Sequence, residues 1–353
     1  MDRSIRRAAA AAAAALALIA LTAVPAFACG GLIGPNGAVN LLQTTTLAAY
    51  HDGAEHYVTA FQFAGGGGAF GSLTPLPGIP SKVEKGGDWT LQRLVRETDP
   101  LPVFAAEDAA GAAVPAARAE ELMKVQIDAL DITVLRGGSQ AVGEWATQHG
   151  FRLPPDAPEV LDFYAARSPI FLAAVFDADA AAKRGQAIGD GTPVHVTIPT
   201  TNPWVPLRIL ALGKTAQERV DASVYLLTDN KPALLPAPGD SNGLRLDHSA
   251  PASASLLSDL RSDRGMGWVP ASGWLTKVGI DAAAPDLKFD LAIDASGANA
   301  PSRVMAGLDM PGAVAAPDRT LDNLRLAIGV VLTVVGIAGM LILLRPRRPL
   351  KPA

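Results

Sequence analysis

The sequence predicts an α+β ectodomain, a mixed or antiparallel sheet with a few short helices, joined to one C-terminal transmembrane helix. Three observations carry this. An early hairpin is followed by segments in the order β-α-α-β-β-β, which suits neither an all-helical chain nor a strictly alternating parallel one. Charged residues are only 18% of the 353, against 49% hydrophobic, so the chain can bury a core. Residues 326–344 carry no charge at all, a run of the length a bilayer requires.

The chain begins MDRSIRRAAAAAAAALALIALTAVPAFACGG. Arg3, Arg6 and Arg7 form a positive start, Ala8 to Val24 an apolar run, and Ala26-Phe27-Ala28 an A-x-A cleavage site. Residues 1–28 therefore read as a secretory signal peptide, with Cys29 the first mature residue. Cys29 is the single cysteine. It excludes an intrachain disulfide and leaves lipidation or a free thiol as its roles.

Elements then follow in order. Leu42 to Phe63 reads as a hairpin about the turn dipeptide Asp52-Gly53. Gly65 to Gly68 is a loop, and Thr74–Pro80 (TPLPGIP) an extended segment that Pro keeps from being a central strand. Asp88 caps a helix with Leu91, Leu94 and Val95 on one face, and Pro100 follows its end. Phe104–Ala119, rich in Ala with Gly and Pro, is an excursion or linker. Val125–Gly137 alternates like a strand. Ser139 caps a helix that Gly150 stops, and Asp156 with Glu159 has capping-box spacing for the next. Pro169–Phe176 is an apolar strand. PVHVTIP, PLRILAL and DASVYLL follow as three more. Leu234–Ser253 reads as a loop, Leu256–Leu260 as a short helix and Leu287–Ile293 as a closing strand. The extracytoplasmic domain thus spans 29–294, as one body or two lobes, and 295–325 is a stalk.

Leu326–Leu344 is 19 residues, about 28 Å as a helix at 1.5 Å per residue. Arg345, Arg347, Arg348 and Lys351 follow. This excess sets the tail, 345–353, in the cytoplasm. A cleaved signal places the N-terminus outside, and the two inferences agree on a single-pass protein of the cell membrane. Gly329 and Thr333 make a small-xxx-small pair that permits a transmembrane-helix dimer. Between the ends, residues 29–325 carry 23 Lys and Arg against 33 Asp and Glu. That acidic body does not suit nucleic acid or anionic polymers.

Five segments then stand in a recognisable order: ACGG after the signal, TPLPGIPSKVE, LQRLVRETDP, DITVLRGGSQAVGEWATQHGFRLP and VTIPTTNPWVPLRILALG. Over most of residues 29–230 the chain resembles the secreted bacterial proteins of domain-of-unknown-function family 2330. The resemblance implies export and brings no activity. Members of that family carry further cysteines soon after the first CGG; this chain has none, so a metal or disulfide role of Cys29 does not carry over.

No motif assigns a reaction. Walker A, G-x-S-x-G and the penicillin-binding set are absent or incomplete, and no cofactor is expected. His51 and His56 flank the hairpin turn in HDGAEH. They lack the i,i+4 spacing of a helical zinc pair, so the segment reads as a solvated turn and no metal is expected; paired strands bringing them together with Glu55 or Asp52 is the alternative, with His51 and His56 the candidate ligands. His195 lies in an alternating strand and reads as a packed or surface residue, and His149 sits at a helix C-terminus. Trp204, Trp268 and Trp274 lie in Pro- and Gly-rich segments and are candidates for an aromatic patch that holds a sugar or partner. The functional expectation is an envelope interaction or binding module, for protein or glycan. The alternative is an envelope-acting hydrolase with a non-local site.

Overall fold

A computed structural model describes residues 31–34, 37–38, 44–61, 70–99, 121–177, 192–239 and 242–309. The signal peptide, Cys29, the Gly65–Gly68 loop, the Phe104–Ala119 excursion and the span Leu326–Leu344 lie outside the described residues. Among the described residues, no helix is long and apolar enough to cross a membrane.

The fold is α+β, with three sheets and, among the described residues, four short α-helices. The largest sheet has seven strands. Its middle is the hairpin of β3 (Thr44–His51) and β4 (Ala54–Phe61). Asp52 and Gly53 both have positive φ, 49° and 76°, as a two-residue turn of the primed kind needs. Beyond β4 come β10 (Thr192–Pro199) and the short edge β6 (Lys82–Lys85). Beyond β3 come β12 (Arg219–Thr228), β15 (Trp274–Ala283) and the edge β14 (Leu244–Pro251). The β3–β12 pair is parallel and the others are antiparallel, so the sheet is mixed.

The six-stranded sheet is antiparallel throughout. Its order runs from β2 (Gly37–Ala38) and β1 (Gly31–Gly34) through β5 (Phe70–Leu76), β9 (Ile170–Phe176) and β8 (Leu130–Arg136) to β7 (Glu121–Ile127). The third sheet joins β11 (Trp204–Val205), β16 (Leu291–Asp294) and β13 (Ala233–Leu235).

Period-two alternation explains the layering. On one face of the seven-stranded sheet Ala48, Tyr57, Val196 and Val278 join the main core, shared with the six-stranded sheet. On the other face Leu47, Val58, Tyr225 and Leu275 form a second core beneath α1 (Thr90–Thr98) and α4 (Ala254–Ser262). Helices α2 (Ser139–Gln148) and α3 (Ala157–Ala165) add Val142, Trp145, Leu161 and Tyr164 to the main core. Tyr164 meets Phe171 of β9 edge-on.

Several elements differ from the sequence reading. Thr74–Pro80 is partly an interior strand: Pro75 pairs with Phe171 of β9 but lies past Leu73, where pairing with β1 ends. The segment read as one strand from Val125 belongs to a hairpin, turned at Asp128 with φ 52°. PLRILAL is a 3-10 turn, Arg208–Ala211, because Asp290 gathers its backbone amides. The loop expected over Leu234–Ser253 contains β14, whose alternation is broken by a bulge at Leu246/His248. Strand β15 has no counterpart in the sequence reading, and the closing strand starts four residues later than expected, at Leu291.

The caps differ too. Asp88, Ser139 and Asp156 make no side-chain cap on their own helices. The backbone N–H groups of Asp88 and Trp89 and the hydroxyl of Thr90 donate to the Asp263 carboxylate instead, at 2.8–3.1 Å. Asp162 accepts from Ser139 N–H, and Asp156 from Gly213 N–H. Residues 295–309, read as the start of a stalk, pack on the body. Ala306 is buried, and its carbonyl accepts from Asp290 N–H at 3.0 Å.

Candidate functional site

Strand pairing decides which histidines can meet. His56 faces Thr197 across the β4–β10 pair, and His195 faces Val58, so the two imidazoles are diagonal neighbours on the outer face of the sheet. His56 Nδ1 and His195 Nε2 are 2.9 Å apart, one donating and the other accepting. Trp268 lies flat over them, its ring 4.0 Å from that of His56 with a 7° interplanar angle, and 5.1 Å from that of His195. On the far side of His195, Glu84 Oε1 is 3.3 Å from Nδ1. That is close enough for attraction, but Nδ1 has no aligned hydrogen bond.

Burial pushes both imidazoles down to about 4. For His56, repulsion from His195 and then His51 adds to this. For His195, the attraction of Glu84 opposes it. At neutral pH the pair is therefore uncharged.

His51 and His56 do share a face, but His51 turns to Asp229, 2.7 Å away, and to Asp52. Glu55 points the opposite way, into the core. It is fully buried, with one oxygen accepting from Trp204 N–H at 3.3 Å and the other unpartnered. Burial raises its carboxyl to about 8. Among the described residues, no group of three or more His, Cys, Asp or Glu side chains is placed to hold a metal ion.

The three tryptophans do not form a patch. Trp204 is wholly buried, stacked 5.8 Å from Tyr164. Trp268 covers the histidines, and Trp274 donates its indole N–H to Ser249 at 2.9 Å. Beside Trp204 lies an ion pair that no sequence signal marks. Arg167 and Asp290 are both wholly buried, and Arg167 also lies over Phe163 and Trp204 at 4.1 and 4.9 Å. Asp290 further accepts from Tyr164 and from the N–H groups of Leu207 and Arg208. This fixes the 3-10 turn and carries no exposed chemistry.

A groove of about 690 Å³ opens on the outer face of the seven-stranded sheet, away from the histidines. That is within the usual range for small-ligand sites. Thr45, Ser223 and Gly279 form its floor as one cross-strand row, with Arg245 at the row's edge. Thr45 is 1% exposed, and its hydroxyl has no hydrogen-bond partner. A Cβ on Gly279 would come within 2.5 Å of Asp247 Oδ2, so a side chain there would have to displace the Asp247 carboxylate.

One end of the groove is closed by Tyr225, Asp99 and Lys277. Lys277 is ion-paired to Asp99. The Tyr225 hydroxyl is 3.1 Å from that of Thr98, and burial pushes the phenol up to about 12. Arg245 is paired with Asp247. At the other end Asp221 and Asp281 stand directly opposite each other in the β12–β15 register. The groove is assembled from five separate sequence segments, each reading locally as strand or helix end, so no motif could reveal it.

Comparison with known proteins adds one firm relation. The model of DUF2330, described as an uncharacterized protein conserved in bacteria, matches residues 23–237. No curated protein matches significantly. Among solved structures, a mutated baculovirus P35 after caspase cleavage is similar at 8% identity, covering 73% of this chain and 98% of that one, with TM-score 0.38. Baculovirus P35 itself gives 10% identity, 72% and 96% coverage and TM-score 0.38. At those TM-scores the likeness carries no argument.

Proposed function

The chain belongs to DUF2330, and from that premise we propose that it is a membrane-tethered, extracytoplasmic binding module whose groove takes a polar ligand of the cell envelope. The observation that carries this reading is the groove itself, a cavity of ligand size lined by charged and hydroxyl residues, Asp99, Asp247, Arg245, Lys277, Thr45 and Ser223 among them. The hydrolase alternative has less support. The two perturbed histidines lie outside the groove lining, shut beneath Trp268.

The test for binding is calorimetric titration of the full chain in detergent with soluble envelope glycan fragments. Saturable heat is expected, and Ser223→Trp, which fills the groove, should abolish it. Binding that survives Ser223→Trp, or no heat from any fragment, would count against the groove.

Topology has its own test. Arg at both Val334 and Val335 costs roughly 5–7 kcal/mol of insertion. The variant should leave the membrane on carbonate washing, and its retention there would sink the anchor. If Cys29 is acylated, the wash is repeated with Cys29→Ala.

A further inference from the structure

We propose that Trp268 is an acid-operated gate. Its indole lies closed over the His56–His195 pair at neutral pH, and it swings out, with the rest of the fold intact, when both imidazoles become charged. The gate stands apart from the groove and does not depend on it.

The first observation is how the pair is joined. His195 is 1% exposed and directly opposite Glu84 of β6, and His56 is half-buried and diagonal to it. The two rings lie 21° from parallel with centroids 5.2 Å apart, and their facing nitrogens are 2.9 Å apart. One N–H therefore points at the lone pair of the other ring. The neutral pair and the singly protonated pair both keep one proton in that bond, and a single charge also suits Glu84 and the indole face. The doubly protonated pair has no such bond. Two N–H groups and two positive charges would meet across it.

Second, the closed state holds two buried nitrogens without a hydrogen-bond partner, the indole Nε1 of Trp268 and Nδ1 of His195. Each is a desolvation cost, and water satisfies both once the indole leaves. Third, the loop between α4 and β15 lets the side chain move while its backbone stays. Met266 and Val269 are buried in the second core and pin the loop on either side of Trp268. A Cβ on Gly267 would meet nothing within 4 Å, and Trp268 itself is only half-buried.

The surrounding charges set where the gate opens. From β6, Glu84 draws a proton to His195 and Lys82 repels it, and the two are themselves paired at 2.7 Å. From β3, His51 repels a proton on His56, and Asp229 and Asp52 hold His51. Glu55 of β4 faces the core. In the gate loop, Asp263 is taken up by the amides that open α1, and Arg264 is exposed. Arg261, at the end of α4, donates to the Pro270 carbonyl. Burial outweighs these charges and holds both imidazoles near 4, against 6.5 in water. The open state thus binds more protons between those values, and falling pH favours it.

The experiment is a pH titration of the full chain in detergent. It is read by tryptophan emission, by acrylamide quenching, which follows exposure rather than nearby charge, and by far-UV circular dichroism. Trp268→Phe identifies the Trp268 signal among the five tryptophans. As pH falls from 6.5 to 4, that signal should shift to the red and become quenchable. The step should be steeper than a single titration, at unchanged dichroism. His195→Phe leaves a ring for the indole to cover and nothing to repel it, so the gate should stay shut throughout. Where His195→Phe does not fold, His56→Phe makes the same test at the half-buried position. Glu84→Gln should move the step to higher pH, because the closed pair loses the charge that tolerates its first proton and Lys82 is left unopposed. Trp268 emission and quenching that stay constant down to pH 4 would overturn the gate. So would dichroism lost in the same step, which is unfolding of the whole chain, or a step unaltered in the phenylalanine variants.

Discussion

Asp290 is the residue on which the most backbone depends. Its carboxylate neutralises Arg167 and accepts from Tyr164 and two amides of the 3-10 turn. The two partners of this buried pair are not equivalent. Without Arg167, Asp290 keeps three donors. Without Asp290, Arg167 retains the carbonyls of Phe163 and Met305 and aromatic faces, but no counter-charge. Asp290→Leu should therefore cost roughly 3–5 kcal/mol, the usual penalty for an orphaned buried charge, and Arg167→Met distinctly less. Urea denaturation orders the two variants, and a larger loss for Arg167→Met would contradict this account.

At the scale of elements, helix α1 is held from outside itself. Asp263, just past the end of α4, accepts from the amides that open α1, so the two helices of the outer face share one carboxylate. Asp263→Ala should cost about 1–2 kcal/mol, as lost N-caps do, and should speed amide exchange in the first turn of α1. Unchanged exchange there would place the cap elsewhere. The same arrangement explains what sequence could show. The hairpin at Asp52-Gly53 was legible because its turn chemistry is local, β9 because its apolar run is unbroken, and β10 and β12 because their β-branched and apolar residues alternate with polar ones. Strand β15 was not, because it is buried on both faces, with Lys277 and Gly279 interrupting its pattern. His56 and Trp268 were each singled out from the sequence. Their meeting with His195 depends on the pairing of β4 with β10, across 139 residues, and strand register is not written in composition.

For the whole molecule, stability should depend on pH through two opposed features. His56 and His195 sit near 4 in the folded chain, against 6.5 unfolded. The unfolded chain therefore binds more protons between those values. Their contribution is present above 6.5 and lost as pH falls toward 4. Glu55 runs the other way. At about 8 folded against 4.5 unfolded, it contributes below 4.5 and is lost as pH rises through 8. Two imidazoles outweigh one carboxyl on the acid side, so the melting temperature should peak near pH ~6.5 and decline on both sides. Glu55→Gln should flatten the alkaline decline while keeping the acid one, and an unaltered alkaline limb would remove Glu55 from the account.

The parallel pairing of β3 with β12 also sets an order in time. Thr44 and Ala222, partners in that pair, stand 178 residues apart, so the β3–β4 hairpin waits with its β3 edge open until most of the body has followed. Strand β12 in turn waits for β15. A nascent chain stopped at residue 237, where the family match ends, would present that unsatisfied edge to its neighbours. Such a fragment should aggregate, whereas a chain reaching residue 309 closes the sheet. For this fold, holding the early strands apart until the late ones arrive is a task for whatever accompanies the chain before it folds.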